Sequence, residues 1–185
     1  MKRNKQFRNS TVRRGLLGLI LLVSMRLSSQ AAVPPQAQPQ PLEARVRHAI
    51  VMQPFYTVFD NIKFSVSGDT VTLEGQVIRP SLKPAVEHSV RQIAGVSKVV
   101  SNIEVLPPLP FDNSIRRATF RSIYAGNGPL SGYGWGPVPA IHIIVDHGRV
   151  TLTGTVDRQV DKDMATLLAK TVSNVFSVDN QLIVR

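Results

Sequence analysis

The sequence predicts an α+β protein built from two tandem αββαβ domains, and three observations carry that prediction. Sliding the 185-residue chain against itself by 79 positions aligns Ile62 to Val105 with Ile141 to Val184 without a gap. Within both segments the apolar period changes from two to about 3.6 and back at the same places. A proline cluster, Pro107, Pro108 and Pro110, stiffens a very short connection between the copies and marks the boundary.

Each element follows from local pattern. In the first copy Leu42, Val46, Ala49 and Ile50 keep helical spacing. Ile62, Phe64 and Val66 alternate, Ser67-Gly68-Asp69 supplies turn chemistry, and Val71, Leu73 and Val77 alternate again. Ser81 is placed to cap a helix with the stripe Leu82, Ala85, Val86, Val90, Ile93 and Ala94, with Pro84 tolerated in its first turn and Gly95 at its end. Val99, Ile103 and Val105 form the last strand. The second copy repeats the order over Ile115 to Tyr124, Ile141 to Val145, Val150 to Val156, Val160 to Ser173 and Val178 to Val184. Such a unit is a three-stranded mixed sheet with two amphipathic helices on one face and a half-polar opposite face. Gly75 and Gly154 interrupt the inward series at matching places, where a glycine admits either a close helix or a bulge. Units this small bury only about 60% of their unfolded surface, so each is expected to dock on its twin.

The N-terminal part has a different character. A basic stretch to Arg14, an apolar run Gly15 to Met25 and the small-residue end Ser29-Gln30-Ala31 read as an export signal over 1–31, cleaved after Ala31. The apolar run is about half the roughly 20 residues of a membrane-spanning helix. Arg26, between that run and the cleavage point, keeps an uncleaved anchor as the alternative. Either way the remainder leaves the cytoplasm. Residues 32–41, with Pro34, Pro35, Pro39 and Pro41, form an extended spacer. The domains then run over 42–107 and 111–185.

Charge and composition exclude several functions. The formal charge is +10, but Lys2, Arg3, Lys5, Arg8, Arg13, Arg14 and Arg26 all fall in the export segment, leaving 15 bases against 12 acids. A nucleic-acid partner is therefore disfavoured. With no cysteine there is no disulfide framework, thiolate metal site, cysteine nucleophile or lipidated cysteine, so the chain is not read as a lipoprotein.

The residues now carry a resemblance. The run Val71-Thr-Leu-Glu-Gly-Gln-Val77, the helix after it, and Gly95-Val96 leading to Val99-Val-Ser-Asn-Ile-Glu-Val105 resemble a BON domain (bacterial OsmY and nodulation domain). So do Val150-Thr-Leu-Thr-Gly-Thr-Val156 and Val178-Asp-Asn-Gln-Leu-Ile-Val184. The resemblance covers nearly all of the chain from Leu42 onward, and export plus two such domains is the organisation of periplasmic, osmotically inducible proteins. It implies a non-enzymatic envelope module that associates with membrane phospholipid or envelope proteins and supports envelope integrity under osmotic stress. Its motifs mark the fold, so no functional residue is carried over.

One segment looks built for something besides the fold. The loop 125–139 holds five of the 12 glycines, with Tyr133 and the sole tryptophan, Trp135, near its middle; the matching stretch Val51 to Asn61 is shorter and has no glycine. Aromatics on a glycine-rich loop suit a bilayer interface, and the alternative is that Trp135 folds back over the sheet or the domain junction. Arg116, Arg117 and Arg121, on the helix before the loop, offer attraction for anionic headgroups, although Arg45 and Arg47 occur on the comparable first helix. Trp135, Tyr133, Arg116, Arg117 and Arg121 are thus the candidate lipid-binding residues.

Catalytic patterns are thin. The loop lacks the third glycine of a dinucleotide fingerprint and any Gly-Lys-Ser/Thr ending, and it precedes a strand instead of opening a helix. His142 and His147 are too few and face apart as metal ligands, and His48 and His88 read as solvated. Asp157, Asp161 and Asp163, with Arg158 and Lys162, read as the charged, solvated start of a helix. The expectation is a protein with no catalytic residues, cofactor or metal; the sequence leaves its oligomeric state open.

Overall fold

The computed structural model describes residues 40–126, 128–136 and 138–185; the expected export segment 1–31, its expected cleavage point and the expected spacer up to residue 39 lie outside the described residues. The chain runs α1 (Leu42–Val51), β1 (Asn61–Ser67), β2 (Thr70–Val77), α2 (Leu82–Arg91), β3 (Lys98–Val105), α3 (Pro110–Tyr124), a 3₁₀ turn (Ser131–Gly134), β4 (Ile141–Asp146), β5 (Arg149–Val156), α4 (Gln159–Lys170) and β6 (Ser177–Val184). The fold is α+β: two tandem units, each with a three-stranded mixed sheet and two helices. In both units the first two strands pair antiparallel and the last joins parallel through a helical crossover, giving the orders β1-β2-β3 and β4-β5-β6. The 79-residue repeat holds in the register, since Val71 pairs with Val99 where Val150 pairs with Val178.

Alternation decides which side of each sheet is dry. Val71, Leu73, Val77 and Ile103 point inward to meet Val46 and Ile50 of α1 and Leu82, Val86 and Val90 of α2, forming the first core. The second core repeats the plan with Val150, Leu152, Val156 and Leu182 against Ile115, Ile123, Ala165 and Ala169. Burial of these side chains contributes about 1.5–3 kcal/mol each for the larger aliphatics, the main term opposing chain entropy.

Several sequence expectations are corrected by physical detail. Gly75 and Gly154 admit neither a helix nor a bulge: the register through them is continuous. They have φ of +125° and +120°, and a Cβ would overlap the carbonyl oxygen of Asn61 or Ala140 on the neighbouring strand side. Ser81 makes no side-chain cap; α2 starts from a backbone turn in which the Leu82 N–H donates to the Arg79 carbonyl. Nor does Gly95 end α2 directly. The helix stops at Arg91 and a further turn leads to Gly95 at φ +93°, a role taken in the second copy by Asn174 at φ +69°, so α4 stops at Lys170. Helix α3 begins at Pro110, five residues before its apolar stripe, because proline at the first position sacrifices no intrahelical bond.

The outward sheet faces are covered in part. Asn61, Lys63, Glu74 and Glu104 of the first sheet and Ile144, Asp146, Thr151 and Thr153 of the second line one cleft of about 360 Å³. Ile144 and Thr153 are buried there. The units are further joined by the segment between α1 and β1. Its Val58 is 7% exposed and belongs to the second core, and the Val58 carbonyl accepts a hydrogen bond of 2.8 Å from Ile143 N–H on β4. The two cores are therefore not fully separate.

Candidate functional site

The site is built around α3 and the loop after it. Helix α3 turns Asp112, Ile115, Arg116, Thr119 and Ile123 inward at spacings of three and four, which leaves Arg117 and Arg121 one turn apart on the exposed side. Neither exposed arginine has a carboxylate within 4.0 Å among the described residues. Asp112, in the added first turn, accepts from the backbone N–H groups of His147 (2.9 Å) and Gly148 (2.8 Å) and so clamps the β4–β5 turn to the helix.

Arg116 is not a surface cation. It is 3% exposed, and its guanidinium donates to the Val145 carbonyl and to Asn113 Oδ1. Burial pushes its pKa down, opposed by the charges of Asp112, Asp146 and Asp60. The helical stripe explains this: Arg116 falls beside Ile115 on the inward face, one residue from the exposed Arg117.

The loop is anchored by what it buries. Leu130 lies fully inside the second core, and Tyr124 on α3 donates its hydroxyl to the Ile141 carbonyl at 2.6 Å. Tyr133 packs on that core, and its hydroxyl donates to Asp161 (2.8 Å) while accepting from Asp157 N–H (2.9 Å). Its reach is thus spent on the start of α4, away from any headgroup. Asp161, expected on a solvated face, is instead buried, held by a bidentate pair from Arg158 (3.0 and 2.9 Å). Arg158 and then Tyr133 keep its carboxyl below the usual carboxylate range.

Trp135 follows this anchor and has a different fate. It is 85% exposed, so it does not fold back over the sheet or the junction. Gly134 beside it lies against the Tyr124 ring with no room for a Cβ, which places the loop backbone next to the C-terminal end of α3. Of the five expected site residues, Trp135, Arg117 and Arg121 are available to a ligand, whereas Arg116 and Tyr133 hold the fold.

An aromatic pair escaped the sequence reading. Phe111 and Phe176 lie 6.2 Å apart, half-exposed and 75% exposed, and Phe111 lines a hollow of about 300 Å³ with Arg121 and the turn Val172 to Asn174. Each phenylalanine continues an apolar pattern in its own segment, so neither stands out until the fold brings them together. Among the described residues there is no group of three or more metal-ligating side chains. No helix among them is long and apolar enough to cross a membrane.

The family comparison agrees with the architecture. The BON domain family model matches residues 40–107 and again residues 130–185, together more than half of the chain. Among solved structures, the C-terminal domain of CdsD, a structural protein of the type III secretion system of Chlamydia trachomatis, is similar at 12% identity and a TM-score of 0.31, covering 80% of this chain and all of that one. A second CdsD structure is similar at the same identity and TM-score, covering 78% of this chain and 92% of that one. Comparison with curated proteins found no match.

Proposed function

The chain belongs to the BON domain family, and from that premise we propose that it is a non-enzymatic protein of the cell envelope that binds anionic phospholipid surfaces through its second domain. The observation that carries the reading is Trp135, the sole tryptophan, 85% exposed on a loop whose other aromatic anchors are spent inside. An exposed indole on a loop suits the headgroup level of a bilayer, where its ring meets acyl carbon and its N–H meets water. Arg117 and Arg121, unpaired among the described residues on the adjoining helix, add attraction for anionic lipid of about 1 kcal/mol each, lost beyond a Debye length. Export through the segment 1–31 to the periplasm, with support of envelope integrity under osmotic stress, completes the proposal.

Vesicle co-sedimentation tests it. Trp135→Ala should weaken binding at low and high salt alike, whereas Arg117→Ala with Arg121→Ala should matter at low salt and on anionic vesicles only. If both variants sediment like the parent, the site is wrong. A second reading, docking of an envelope protein, is favoured by the exposed Phe111–Phe176 pair. It predicts that Phe176→Ala abolishes partner binding while vesicle binding is unchanged.

A further inference from the structure

A groove of about 570 Å³ runs between the two domains, away from α3 and Trp135. One wall is α1 and β1 of the first domain, with Ile50, Phe64 and Val66; the other is the outward face of the second sheet, with Ile183. Ile183 is 66% exposed on β6, an isolated large apolar side chain that faces the groove. One cation stands over this apolar floor and a second reaches the rim from the other face of β1. The Arg47 guanidinium lies 5.5 Å from the centre of the Phe64 ring, and Lys63, opposite Glu74 on the outward face of β1, lines the groove at its edge. Glu43 lines the same groove, yet among the described residues neither cation has a carboxylate within 4.0 Å.

An apolar strip of Ile50, Phe64 and Val66 facing Ile183 across the groove, with Arg47 at its edge and polar Thr153, Thr155 and Gln181 on the far wall, complements a molecule with a hydrocarbon tail and an anionic head. The volume falls within the range of small-molecule sites and takes one acyl chain, not the two of a membrane phospholipid. We propose that this interdomain groove binds a single medium- to long-chain fatty acid, its tail along Phe64, Val66 and Ile183 and its carboxylate at Arg47, with Lys63 adding charge from the rim. The ligand touches both domains and so tightens their docking. A cation–π contact already orients Arg47, which reduces the ordering cost of meeting a carboxylate.

Isothermal titration of the full chain with laurate below its micelle concentration, without vesicles, tests the site. The expected result is saturable one-to-one binding, roughly tenfold tighter than decanoate because two more methylenes are buried, with no saturable binding of dodecyltrimethylammonium. Arg47→Gln with Lys63→Gln should weaken laurate by tenfold or more. Ile183→Glu, at an exposed position that puts no core at risk, should abolish it. Absence of saturation, equal binding of the cationic amphiphile, or parent-like affinity in both variants would overturn the assignment. A concentration-dependent dimer that Ile183→Glu dissolves, with no laurate binding, would give the groove to a second copy and overturn it equally. Because no vesicle is present, failure here leaves the membrane reading standing, and loss of vesicle binding leaves the groove.

Discussion

The segment after α1 and the segment after α3 occupy the same place in two copies of one unit, and they have been put to opposite uses. In the first copy, residues 52–60 are turned toward the second domain. Asp60, fully buried, accepts from the N–H and hydroxyl of Thr57 (2.9 and 2.7 Å) and from Ile78 N–H (2.8 Å), which shapes the segment into a rigid tongue. Val58 then enters the other core, Phe59 meets Phe120 at 6.1 Å, and Tyr56 meets His142 at 5.7 Å. In the second copy the longer segment is anchored at home by Leu130 and Tyr133, and it projects Trp135 outward. Duplication supplies two equal frames; the loops decide that one frame becomes a support and the other a surface.

The largest test of that comparison concerns what the copies share. Gly75→Ala and Gly154→Ala should each destabilise by about 3 kcal/mol or more, through a positive φ and overlap with a strand carbonyl, as read by denaturant midpoints. Similar losses are expected from both, and a tolerated substitution at either would break the equivalence.

Val58→Asp comes next, at several kcal/mol, because it places a charge inside a core. Its signature is location. Hydrogen exchange should show β4 and α3 of the second domain losing protection although the mutation lies in the first. Asp112→Ala, at about 1–3 kcal/mol, should loosen the β4–β5 turn alone, since among the described residues no side chain clamps the β1–β2 turn in this way.

A smaller effect separates the tongue from the rest by pH. Burial holds the His142 imidazole below its ordinary value, offset in part by the Asp60 backbone and charge and by the Thr57 backbone, and its Nδ1 has no partner. The unfolded chain, with an ordinary value of about 6.5, then takes up its proton first on acidification. The His142 contribution is therefore fully present above about pH 6.5 and falls as pH drops through that value toward the lowered folded one. His142→Gln should flatten this limb of the stability profile; an unchanged slope would contradict it.

How much of this was legible in sequence follows from which forces act locally. Alternation and helical spacing report burial against a neighbour in the same unit, so all six strands and four helices could be read from Val71-Thr-Leu and its repeat. Arg116 was misplaced because α3 starts earlier than its apolar residues, and its inward face is shared by Asp112 and Arg116 as well as Ile115. Tyr133 and Asp161 looked exposed because their partnership closes only when the loop folds onto α4. Val58 and the outward Ile144 looked like ordinary loop and strand residues, since their burial depends on a second domain that no local pattern records.

Trp135→Ala should change stability by no more than about 0.5 kcal/mol, since its ring has little to lose on unfolding. That same exposure makes the sole tryptophan a direct reporter of the membrane reading. The decisive measurement is Trp135 emission on adding anionic vesicles to the parent protein at low salt. A blue shift and protection from acrylamide are expected, growing with bound fraction and persisting when salt is raised over pre-bound protein. Protein that co-sediments with vesicles while its tryptophan emission and quenching stay as in free solution would contradict the membrane reading.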